Sequence, residues 1–192
     1  MYNSTCYSTL ILLILVIVFT YRNLYSQTID GYVDPTFATG TGPNSGIGSV
    51  VTQPDGKILI SGYFTSYNGT PIAHIARLFS DGTLDNTFNI GSGLDFGSPE
   101  LLIQPDGKII IYGNFTTVNG VTRNHIARLN SDGSIDNSFT IGTGVYGSVW
   151  DAKILSDGKI LIGGHLITYN GISVSSIIRL NSDGTLDNTF SI

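Results

Sequence analysis

The stretch "QPDGKILISGYFTSYNG" at residues 53–69 returns as "QPDGKIIIYGNFTTVNG" at 104–120 and, more altered, as "LSDGKILIGGHLITYNG" at 155–171. Asp55, Asp106 and Asp157 stand 51 residues apart, and the same step links Arg77, Arg128 and Arg179, then Phe88, Phe139 and Phe190. A fixed period without insertions marks a repeat architecture and outranks the one or two domains that a length of 192 residues suggests.

One unit, residues 98–144, shows what each period builds. Residues 100–104 read as a strand, Pro105-Asp106-Gly107 as a tight turn and residues 108–115 as a second strand. In that turn Pro presets φ and Gly accepts a positive one. After a loop containing Asn119-Gly120, residues 125–130 read as a third strand. A turn at Ser131-Asp132-Gly133 then leads into a fourth over residues 135–141. The equivalent turns are Asp55-Gly56, Asp81-Gly82, Asp157-Gly158 and Asp183-Gly184. The runs Ile58-Leu59-Ile60, Ile109-Ile110-Ile111 and Ile160-Leu161-Ile162 are apolar without alternation, so these strands need cover on both faces. In the third strand Ile126, Arg128 and Asn130 share one face and Ala127 and Leu129 the other. Neighbouring units must therefore stack face to face. Four short antiparallel strands per stacked unit is the pattern of β-propeller blades, and the expected fold is all-β.

The run "QPDGKIIIYGNFTTVNG" followed by "HIARLNSDGSIDNSFTIGTG" resembles the delta-60 repeat, a propeller-type repeat of secreted and cell-surface bacterial proteins. The resemblance covers about residues 28–192. The third copy departs from it at Ser156, His165 and Ile178. The resemblance implies export and a repeat scaffold, and it brings no catalytic residues to carry over.

The organisation that follows is a partial strand at 28–42 and repeats at about 43–93, 94–144 and 145–192. Closed propellers hold about four to eight blades, so three units are expected to form an incomplete ring, completed by further repeats or by self-association. Ahead of them, the apolar run at residues 10–19 is too short for a membrane span of about 20 residues and suits a signal peptide ending near Ser26. The segment before that run carries no Lys or Arg, which leaves a short uncleaved anchor over residues 1–26 as the alternative. Either reading implies export. The one cysteine, Cys6, lies in this segment, so the remainder holds no disulfide.

The net charge of −5 does not define an acidic binding surface, because eleven of the fourteen acids are Asp residues of the repeat motifs. Six of the nine basic residues are repeat positions as well, spread along the chain, which argues against nucleic-acid binding. His74 and His125 occupy one repeat position, with Ser176 third, and are read as structural. Gly142-Thr143-Gly144-Val145-Tyr146-Gly147 matches a dinucleotide fingerprint by letters, but no helix is expected after it, and Gly91 and Gly93 repeat its first two glycines. Asp132 with Asp136 is better read as turn and pairing chemistry than as a calcium site; Asp136 is expected to pair with Arg128, as Asp85 with Arg77 and Asp187 with Arg179. No metal, cofactor or catalytic residue is assigned. Asn68-Gly69-Thr70 and Asn114-Phe115-Thr116 match the glycosylation sequon.

Function is expected where the copies differ. The connections at residues 43–48, 94–100 and 145–151 are dissimilar, and the last carries Tyr146, Trp150 and Asp151. With His165, unique to its repeat, these are the candidate binding residues, although Trp150 would equally serve to fill a gap between blades. The expected function is a non-catalytic scaffold binding a protein or glycan at the cell surface. A hydrolase or lyase acting on a polymer and a purely structural spacer are the alternatives. Only Asp95, Glu100 and Asp151 are acids outside the repeat pattern and available to such an enzyme.

Overall fold

The computed structural model describes residues 34–38 and 40–190. The signal-peptide or anchor segment, 1–26, and the opening of the partial strand lie outside the described residues. The repeats lie within one compact unit, Thr36–Ile192.

Repeat one contains β1 (Ile47–Thr52), β2 (Ile58–Gly62), β3 (Ser66–Tyr67), β4 (Thr70–Pro71) and β5 (Ile75–Leu78). Repeat two contains β6 (Glu100–Ile103), β7 (Ile109–Tyr112), β8 (Thr117–Val118), β9 (Val121–Thr122) and β10 (Ile126–Leu129). In both, the second strand is central in a three-stranded antiparallel sheet, ordered β1-β2-β5 and β6-β7-β10, and a two-stranded ribbon, β3-β4 or β8-β9, stands apart. Repeat three contains β11 (Val145–Ile154), β12 (Ile160–Tyr169), β13 (Ile172–Ser173) and β14 (Ile177–Leu180), with β12 running through to pair with the other three. The structure is thus all-β and antiparallel over three repeats of 51 residues, as the periodicity requires. Among the described residues the stack does not close into a ring.

The expected fourth strand is reduced to single bridges, Leu78 to Leu84, Leu129 to Ile135 and Leu180 to Leu186. Its next residue explains why. Asp136 is buried and turns its carboxylate back on its own chain, where Oδ1 accepts from the Ser138 N–H at 2.9 Å and the Ser138 hydroxyl at 2.6 Å. A backbone folded into that Asp turn cannot stay extended. Asp85 with Thr87 and Asp187 with Thr189 do the same.

The central strands of repeats one and two, β2 and β7, are covered on both faces. Ile109 and Ile111 pack with Leu59, Ile75 and Phe88 of repeat one, while Ile110 packs with Ile160, Ile162 and Leu180 of repeat three. Ile109, Ile110 and Ile111 have no exposed surface, and each contributes roughly 1.5–3 kcal/mol through burial. In the third repeat Leu161, Ile177 and Arg179 face away from repeat two and are only half-buried.

A polar clasp repeats behind each sheet. Arg128 Nε donates to Asp136 Oδ2 at 2.7 Å, Lys108 Nζ reaches the same oxygen at 2.8 Å, and the guanidinium lies 4.6 Å from the Phe139 ring centre. The expected pairs of Arg77 with Asp85 and Arg179 with Asp187 form likewise at 2.8 and 2.7 Å, joined by Lys57 and Lys159. Arg77 Nη1 also donates to the Ser131 carbonyl, and Arg128 Nη1 to that of Ser182, each at 2.5 Å, so the clasp ties one repeat to the next.

Candidate ligand-binding groove

Turns, bends and clasps account for most of the repeated residues. Gly56, Gly82, Gly107, Gly133, Gly158 and Gly184 all have positive φ, and Asp55, Asp81, Asp106, Asp132, Asp157 and Asp183 each accept from a backbone N–H two residues on. His74 and His125 lie at φ 71° and 65°, with Nδ1 at 3.1 and 2.9 Å from the carbonyls of Gly62 and Gly113. The same backbone contact thus recurs at this repeat position. The Gly142–Gly147 stretch leads into β11 rather than a helix. Asp136 spends Oδ2 on the clasp and Oδ1 on its own turn, and among the described residues no group of three or more His, Cys, Asp or Glu side chains could hold a metal ion.

One end of the sheets, opposite the Pro-Asp-Gly turns, is different. Here β2 and β7 stop, and the chain swings outward before Phe64 and Phe115 re-enter the core. Tyr63, Asn114 and His165 occupy this position in successive repeats and are all exposed. Tyr63 meets Phe96 edge-on at 6.5 Å between ring centres. Phe96 is 61% exposed, on a connection pinned on both sides. Asp95 accepts from the Thr116 and Thr117 N–H groups at 2.9 Å, and the Ser61 hydroxyl donates to the Pro99 carbonyl. Burial raises the Asp95 carboxyl, but the bonds from Thr116 and Thr117 outweigh it and hold the group below the usual carboxylate range. Asp95 is therefore a cap, the counterpart of Asn44, which accepts from Thr65 and Ser66.

Trp150 closes the other side. β11 carries a bulge at this residue, between the pairs Val149 to Gly164 and Asp151 to Gly163. β1 is bulged at the equivalent Gly48, and Pro99 fills the position in repeat two. Gly and Pro suit an interrupted ladder. A tryptophan is not required by the backbone there, and it fills no gap between repeats, because it is 73% exposed. Tyr63, Asn114, Ser148 and Trp150 line a groove of about 160 Å³ with Gly97 and Gly113 among its other residues, and no charged side chain borders it.

Asp151 holds this bulge. Its Oδ1 accepts from the Ala152 N–H at 2.9 Å and from the Tyr112 hydroxyl at 3.3 Å. Burial, then the negative charges of Asp151 and Glu100, push the Tyr112 phenol up to about 12 against one bond from the Ala152 backbone. The phenol hydroxyl donates to Asp151. Tyr146 is 68% exposed near the start of β11 and His165 pairs with Ser148, but neither lines the groove.

Of the four residues expected from sequence, Trp150 borders the groove and Asp151 fixes it from behind. Tyr63, Phe96 and Asn114 were missed. Phe96 lies in one of the connections recognised as variable, and Tyr63 and Asn114 are the counterparts of His165, so the readable signal was one exposed position carrying three chemistries in three copies. A larger hollow of about 580 Å³ lies between the turns of repeats one and two. Its Lys57 and Arg77 are already paired with Asp85, and they recur in every repeat, which marks scaffold.

Stacked antiparallel repeats with a both-sides-covered central strand define a propeller-type repeat protein. The family model described as "Domain of unknown function (DUF5122) beta-propeller" matches residues 53–88, 104–139 and 155–190, once per repeat, and the chain belongs to that family. No curated protein matches it.

Proposed function

We propose that this chain is an exported, non-catalytic scaffold that binds a cell-surface ligand in the groove between Tyr63 and Trp150. The observation that carries this reading is Trp150. It occupies a bulge filled by Gly48 and Pro99 in the other repeats, precedes Asp151, whose carboxylate accepts from the Tyr112 hydroxyl and the Ala152 N–H, and is presented to solvent. Exposed aromatics on a pinned backbone are the usual anchors of recognition, because little freedom is lost on binding. Export rests on the apolar run at residues 10–19. The half-buried outer face of repeat three, with Ile177, Arg179 and Phe190, is where another repeat or another chain would stack.

The test is a glycan and surface-protein binding screen on the full chain beside a variant carrying Tyr63→Ala, Phe96→Ala and Trp150→Ala together. The variant should keep the parent's far-UV circular dichroism and lose the ligand. Retention of every ligand by the folded variant would place recognition elsewhere.

A further inference from the structure

We propose that the groove takes a neutral carbohydrate, one sugar ring of a chain sitting between Tyr63 and Trp150. This rests on the binding reading above and names the ligand class.

Three observations on the groove lead there. First, its lining is uncharged, so a polyanion, a polycation or an acidic peptide would find no counter-charge to replace its hydration. Asp151, the nearest acid in sequence, is turned toward Tyr112. Second, the lining joins aromatic rings to small polar groups, with Tyr63 and Trp150 beside the hydroxyls of Ser98 and Ser148 and the amide of Asn114. A pyranose has the matching surface, with C–H faces that rest on aromatic rings and hydroxyl edges that exchange hydrogen bonds with amides and hydroxyls. Third, about 160 Å³ is close to the volume of one sugar ring. A folded protein partner needs roughly 800 Å² on each side, and here the aromatic surface is divided between Trp150 and the Tyr63–Phe96 pair. Tyr63, Asn114 and His165 then offer a growing chain one exposed contact per repeat.

Trp150 is the only tryptophan, so the chain's own fluorescence reports from the groove. The full chain is titrated with six-unit oligosaccharides of β-1,4-glucose, β-1,4-xylose, β-1,4-mannose and α-1,4-glucose, with polygalacturonate and chitosan oligomers as charged counterparts. At least one neutral oligosaccharide should shift the emission to the blue and shield Trp150 from acrylamide. By calorimetry its affinity should fall about ten-fold or more in Trp150→Ala and Tyr63→Ala. Trp150→Phe should retain part of it, and Phe79→Ala, an exposed aromatic outside the groove, should leave it unchanged. A response only to the charged oligomers, or to a surface protein from the screen, would overturn the neutral-sugar assignment and leave the groove as the binding site. Sugar binding at full strength in Trp150→Ala and Tyr63→Ala would overturn the groove itself, and no response to any neutral sugar would overturn this proposal alone.

Discussion

Asp136 shows how much one repeated residue carries. Burial pushes its carboxyl up, but bonds from Lys108, Ser138 and Arg128 prevail and hold it well below the usual carboxylate range. Asp85 is lowered against burial by Thr87, Lys57 and Arg77, and Asp187 chiefly by Lys159 and Thr189. A carboxyl whose folded pKa lies below its unfolded value stabilises the fold fully above the unfolded value of about 3.9, and that stability is lost as pH falls toward the folded one. The chain should therefore lose stability steeply below about pH 4, which urea midpoints at a series of pH values would reveal; a flat profile would mean that the three clasps contribute nothing. Asp136→Ala leaves Arg128 without its partner, at a cost of about 2–3 kcal/mol, reduced from the fully buried case because the 30% exposed Lys108 opens the site to water. Asp187→Ala should cost less, since the Arg179 side chain is 24% exposed against 7% for Arg128. Glycines divide in the same manner. Gly107 and Gly133 both have positive φ, and either change to Ala incurs about 1–2 kcal/mol of backbone strain. A Cβ on Gly133 would also lie 2.9 Å from the Asn89 backbone while one on Gly107 meets nothing, so Gly133→Ala should be the worse by about 1–3 kcal/mol.

Among the elements, β11 and β12 differ most from their counterparts. Their hairpin is longer because β12 does not break off where β2 and β7 do, and two irregularities absorb the mismatch in register, between Tyr146 and Gly147 and between Val149 and Asp151. Gly164 makes the second possible. A Cβ there would come within 2.1 Å of the Ser148 carbonyl oxygen, whereas one on its neighbour Gly163 would meet nothing within 4 Å. Gly164→Ala should thus destabilise by about 1–3 kcal/mol and change the emission of Trp150. Gly163→Ala should be neutral or stabilise by about 0.5–1 kcal/mol, as for a mid-strand glycine. Thermal melts of the two variants decide it, and equal losses would show that the bulge is not held by close backbone approach.

At the scale of the molecule, repeats depend on their neighbours. Phe139 is 3% exposed, set between its own Arg128 and Gly184 of the next repeat, and Phe139→Ala should cost about 3–5 kcal/mol. Phe190, half-buried on the outer face of repeat three, should cost less. The same face lacks the tie that Arg77 and Arg128 make to the following repeat, since among the described residues Arg179 bonds only to Asp187 and Thr189. If another copy of the chain covers this face in solution, light scattering should find mass rising with concentration and Ile177→Asp should reduce the rise. Monodisperse monomer at all concentrations would contradict this.

The fold was legible because its determinants are local and repeated. Turn glycines, apolar triplets and the Arg-to-Asp spacing each depend on a few residues of sequence, and three copies at one period identify them without any knowledge of distant contacts. The fourth strand was misread for a related reason: the alternation over residues 135–141 is a real β pattern, but the carboxylate of Asp136 competes for its own backbone and wins once it is buried with Arg128. Trp150 and the connections that carry the groove were visible as departures from the repeat. Their assembly was not, because Tyr63, Asn114 and Trp150 come from three repeats, and only the stacking of the sheets brings them to one groove. Whether Trp150 fills the space between repeats or stands in solvent depends on where the bulge at residue 150 aims the side chain, a geometry set by the close approach of Gly164 to the Ser148 carbonyl across the hairpin.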